Sequence, residues 1–98
     1  MMNPLFLSFA NLILALDQMK NALKLDKLSL IELSVYAAMI DICRQNGDET
    51  ITIEELRNHP LLQSVPKPSL YRALKSLRQQ GKCQHTGTLR SGTYSLHI

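Results

Sequence analysis

The stretch Ser64–Gly81, SVPKPSLYRALKSLRQQG, governs how the rest of the chain is read. Pro66 and Pro68 stiffen a turn, and Lys67 at the cap with Pro68 at the first helical position opens a helix. Leu70, Ala73, Leu74 and Leu77 recur at i, i+3, i+4 and i+7, which makes one apolar stripe, and Gly81 stands where the helix should stop. Ser69, Arg72, Lys75, Ser76 and Gln79 fall on the other side, with no acid among them. An acid-free face of this kind predicts a polyanionic partner. Duplex DNA is the partner whose major groove accepts a helix.

The charge pattern of the whole chain agrees. The 98 residues form a single domain, 1–98, with a net charge of +3. A chain of this size buries roughly 60–70% of its unfolded surface, enough for a core that a second subunit would strengthen. All eight acids lie in residues 1–55, against four bases there; residues 56–98 hold seven bases and no acid. That split points to a polyanion facing the C-terminal half, beside the plainer reading of a solvated basic surface. The two cysteines, Cys43 and Cys83, make no C-x-x-C pair and no disulfide framework; Cys43, on a helix rich in apolar residues, reads as a buried free thiol, and a reducing, cytoplasmic setting is expected.

The first helix is the most apolar part, residues 1–25. Asn3-Pro4 is a cap followed by proline at the first helical position. Leu5, Phe9, Leu12, Leu16, Met19 and Leu23 then repeat in steps of four and three, a heptad-like seam. Phe6, Ala10 and Ile13 make a second row, and Leu7 and Leu14 nearly close the circle, so more than one neighbour must cover it. Leu5–Leu16 is too short and too interrupted, by Ser8 and Asn11, for a membrane span. It also lacks the positive start and small-residue cleavage site of a signal peptide. The expectation is a dimerisation helix, packing one face on its own domain and another on a second subunit; a purely internal core helix is the rival.

From there the chain reads helix, strand, helix, helix, hairpin. Ser29-Leu30-Ile31-Glu32 is a capping box opening a helix over 29–46, with Leu33, Tyr36, Ala37, Ile40 and Cys43 as its inward period and Asn46-Gly47 as its stop. Thr50–Thr52 is a short strand. Thr52-Ile53-Glu54-Glu55 is a second capping box, for a short helix from Ile53 that Pro60 ends, with Leu56 inward. Leu61, Leu62 and Val65 bury the connection that follows. Residues 82–87 and 93–98 alternate with period two around a turn at 89–92, a β-hairpin with Arg90 at its tip. The fold class is mainly α with a small β-hairpin (α+β).

Over residues 29–98 this layout resembles a winged helix-turn-helix. The run SLYRALKSLRQQGK is similar to the recognition-helix signature of MarR-like bacterial regulators, although no helices follow the wing, so the N-terminal helix would carry dimerisation. The resemblance implies a homodimeric transcriptional regulator, acting as a repressor, with recognition helix 67–80 in the major groove and wing 82–98 on the backbone or minor groove. Plasmid and phage partition or replication adaptors have similar compact layouts, and a winged-helix protein-interaction module is the alternative outside DNA binding.

On that reading Ser69, Tyr71 and Arg72 lie closest to base edges, and Arg72 is the best candidate for guanine. Lys67, Lys75 and Lys82 fit phosphates, Arg90 fits phosphate or minor groove, and Thr52 and Ser64 add phosphate bonds near helix caps. Tyr71 has a second reading, packed under the wing. Catalysis finds no support: His59, His85 and His97 share no metal-ligand spacing with one another or with the cysteines, and no glycine-rich phosphate loop exists. No metal or cofactor is expected.

Overall fold

Two capping boxes and two helix-terminating turns set the frame of the computed structural model, which describes residues 3–25, 27–86 and 92–96. The elements run α1 (Pro4–Ala22), α2 (Leu30–Asn46), β1 (Thr50–Thr52), α3 (Ile53–Asn58), a 3-10 turn (Pro60–Leu62), α4 (Lys67–Gln79), β2 (Cys83–Thr86) and β3 (Thr93–Leu96). The chain is thus mainly helical, with a small antiparallel sheet of order β1-β3-β2. β3 pairs with β1 through Ile51 and Tyr94, and with β2 through Cys83 and Leu96. Those four side chains are buried, which is the period-two alternation expected of the hairpin strands. The tip of the hairpin, including Arg90, lies outside the described residues.

Both capping boxes form as read. Ser29 Oγ accepts from the Glu32 N–H, and Glu32 returns a carboxylate oxygen to the Ser29 N–H. Thr52 and Glu55 do the same for α3. Each glutamate has a second oxygen, and each spends it on another helix. Glu32 Oε2 accepts from Ser76 Oγ of α4 and from Nε2 of Gln80 just past its end, and Glu55 Oε2 accepts from Asn46 Nδ2 of α2. The caps therefore fix both the helix starts and their packing. His59 adds a third tie: its Nδ1 accepts from the Leu61 N–H at 3.1 Å, so its Nε2 carries the proton that it donates to Asp41 at 2.8 Å. That bond joins the end of α3 to α2.

The core is assembled from Val35, Ala38, Met39 and Ile42 of α2, Leu56 of α3, Leu62, the α4 stripe and the inner face of the sheet. Two sequence expectations change here. In α2 the buried set is Val35, Tyr36, Ala38, Met39 and Ile42, so of the expected inward period only Tyr36 is buried; Ala37 and Ile40 face solvent, and Leu33 and Cys43 are half-buried. α2 has apolar residues on every side, and its period fits two faces equally. Leu61 is exposed too, because the 3-10 turn buries only Leu62.

α1 departs most. None of its residues is buried, so it packs no face on its own domain, against expectation. Its exit explains this. Lys24 takes φ 59, its N–H donates to the Asn21 carbonyl, and the Leu25 N–H donates to the Lys20 carbonyl. That is a Schellman closure with lysine in the left-handed position. Leu25 and Leu28 then bury in the core, anchoring the chain immediately after the helix. α1 is left projecting, and the molecule is 53 Å long but only 26 Å in its thinnest dimension.

Candidate nucleic-acid interface

α4 starts one residue earlier than the sequence suggests. Pro66 is the N-cap, with φ −62 and ψ 148, Lys67 is the first helical residue and Pro68 the second. Pro66 has no side-chain acceptor to offer, so the N–H groups of the first turn have no side-chain cap. Such a terminus, with Lys67 on it, favours an anion. The helix ends in a second Schellman closure: Gly81, at φ 76, donates to the Arg78 carbonyl and Lys82 to the Leu77 carbonyl. This turn delivers the chain directly into β2.

Leu70, Ala73, Leu74 and Leu77 are all buried, as the stripe requires. At 3.6 residues per turn the positions opposite them are Arg72, Lys75 and Gln79. All three are exposed, and they form the outward face. The flanks differ. Ser69 and Ser76 face α2, where they line a cleft with Ser29, Ile31 and Glu32. Lys67 and Tyr71 face α3, in a cleft with Ile53, Glu54 and Arg57. Ser69 and Tyr71 therefore sit on opposite flanks, and Arg72 shares the α2-side cleft with Ser69 and not the α3-side cleft with Tyr71. Tyr71 is half-buried and packs against the core, in the cleft beside α3. Arg72 folds back along the helix, donating to Ser69 Oγ at 3.3 Å.

Among the other residues singled out, Lys75 is exposed and Lys82 half-buried just past the Schellman turn. Ser64 is exposed in the turn before α4. Thr52 is held in its own cap: its hydroxyl accepts from the Glu55 N–H and donates to the Glu55 carboxylate, which keeps a negative charge beside it. Arg57 was missed. It lines the α3 cleft with Lys67, a neighbourhood that exists only once α3 and α4 pack and that no helical period displays.

Two of the acids near this surface, Glu32 and Glu55, are held in hydrogen bonds between helices. The Ser76 hydroxyl holds Glu32 below the usual carboxylate range, and the Asn46 amide does the same for Glu55. Glu54, on the α3 cleft, is the acid closest to Lys67 and Tyr71 in that lining. Burial pushes the Cys83 thiol up to about 11, and burial also raises Cys43, so neither is an activated thiolate. Among the described residues no cluster of His, Cys, Asp and Glu could hold a metal ion, and no helix is long and apolar enough to cross a membrane.

Comparison of the chain with protein-family models, with curated proteins and with solved structures gives no match.

Proposed function

We propose that the chain is a sequence-specific duplex-DNA-binding regulator, working as a homodimer and repressing by occupying its site, with α4 in the major groove and the β2–β3 wing beside it. The observation that carries this reading is the outward face of α4. Arg72, Lys75 and Gln79 stand exposed opposite the buried stripe, behind a proline-capped N-terminus that bears Lys67. A helix surface of that composition gains affinity for phosphates, because each lysine or arginine placed on a DNA phosphate releases condensed counterions. Arg72 is the residue that reads a base edge, and Lys67, Lys75, Lys82 and Arg57 hold the backbone. Ser69 and Ser64 supply weaker bonds at the α2 side and the preceding turn. The dimer is formed through α1.

The test is fluorescence anisotropy of a labelled random-sequence duplex at low salt. Saturable binding is expected. Absence of binding at protein concentrations near 100 μM, roughly the weak end of non-specific affinity, would remove the proposal.

A further inference from the structure

The outward face of α2 carries a second apolar seam. Leu30, Leu33, Ala37 and Ile40 follow one another in steps of three, four and three, the spacing of a heptad seam; Leu30, Ala37 and Ile40 are exposed, and Leu33 is half-buried at the edge of the seam, against the core. Leu30 is 76% exposed and Ile40 40%. α1 carries the complementary feature, a seam of the same spacing from Leu5 to Leu23 with no buried residue. The two helices, 19 and 17 residues, are about 28 and 25 Å long.

We propose that the α2 seam is the seat of α1 from a second copy of this chain, so that two subunits exchange their N-terminal helices. This rests on the homodimer reading above and adds to it where the helix goes. Three observations select this occupant. The chain's own α1 is turned away by the Schellman closure at Lys24 and the anchors Leu25 and Leu28, and none of its residues is buried against its own domain. A pairing of α1 with α1 alone covers the Leu5–Leu23 row and leaves Phe6, Ile13, Leu7 and Leu14 in water, which calls for a second apolar neighbour. The ten large apolar side chains from Leu5 to Leu23 are each 37–75% exposed, an apolar surface of the kind that marks an interaction site when left uncovered. A membrane surface is a poorer occupant: α1 has Lys20 as its one base and lacks the cationic face that interfacial helices use.

The experiment is sedimentation velocity on full-length protein and on two α2 variants, Leu30→Glu and Ala37→Glu. Both positions are exposed, and an acid at Leu30 lies in the first turn of α2, where the helix dipole favours it, so helicity by circular dichroism should be unchanged. The native chain is expected to sediment as a dimer, and each variant's dimer dissociation constant to rise at least tenfold. If both variants dimerise as tightly as the native chain, α1 pairs without α2 and this inference is overturned while the dimer stands. A native chain that is monomeric at 100 μM overturns both. Neither result depends on DNA, so the fate of the DNA reading is decided separately.

Discussion

Glu32 Oε2 accepts a hydrogen bond from Ser76 Oγ at 2.5 Å, joining the first turn of α2 to the last turns of the candidate recognition helix. The same carboxylate closes the Ser29 capping box through its other oxygen. Glu55 repeats the arrangement, capping α3 with one oxygen and reaching Asn46 of α2 with the other at 2.6 Å. Helix starts and helix packing therefore share two side chains, and the orientation of α4 depends on one of them.

Ser76→Ala should remove the shorter of the two bonds that tie Glu32 to the end of α4, leaving the Gln80 amide bond and the capping box in place, at a cost of about 1 kcal/mol. Glu32→Ala loses the tie and the box together and should cost about 2 kcal/mol. In thermal melts each kcal/mol reads as roughly 4–8 °C for a domain of this size. Equal melting temperatures for the two variants would show that the Ser76 bond carries everything and the cap nothing.

Stability should fall as the solution is acidified. Glu32, Asp41, Asp48 and Glu55 are all held below their ordinary values, chiefly by hydrogen bonds from Ser76, His59, Thr50 and Asn46 respectively. A carboxylate whose folded pKa is depressed binds protons more readily when unfolded, so its contribution is complete above the unfolded value of about 4 and is lost as pH falls through the folded one. Urea midpoints should be flat from pH 7 to about 5 and decline below that. A midpoint that rises on acidification would contradict these hydrogen bonds.

Much of this frame was legible in the sequence because it is local. A serine or threonine with glutamate three residues on, a proline after asparagine, and a glycine after an apolar stripe each act within one turn of helix, and Ser29, Thr52, Asn3 and Gly81 behave as read. The inward face of α2 was not legible, because Leu33, Ala37 and Ile40 are as apolar as Val35, Met39 and Ile42; tertiary packing alone separates them. The same holds for the His59–Asp41 tie and for Arg57 beside Lys67, pairs brought together by the turn between α3 and α4. The reading of α1 failed on its own-domain face, since nothing in its seam reports that Lys24 adopts a left-handed backbone.

Gly81→Ala should cost about 1 kcal/mol and leave the fold otherwise intact. The position holds φ 76, and an added Cβ meets nothing within 4 Å, so the penalty is backbone conformation without a clash. Gly81→Asn should recover part of the loss, because asparagine tolerates the left-handed region better. A loss above about 3 kcal/mol would mean that the turn into β2 is more crowded than it is here.

Arg72→Ala and Lys75→Ala should separate readout from anchoring. Arg72→Ala is expected to narrow the gap between the preferred site and random DNA by about 1–3 kcal/mol. Lys75→Ala should weaken binding to every sequence alike. Competition binding with a site selected from a random pool measures both, and identical effects would show that the two side chains do not divide the work this way.

The most direct test of the α4 reading is the salt dependence of binding to duplex DNA, measured for the native chain and for the Arg72→Ala/Lys75→Ala double variant. If Arg57, Lys67, Lys75 and Lys82 lie on phosphates while Arg72 reads a base, a plot of log K against log salt should have a slope of about −3.6 per subunit, and the double variant should lose about one unit of it, the share of Lys75. A slope near zero, or a steep slope that the double variant leaves unchanged, would contradict the placement of α4 on DNA.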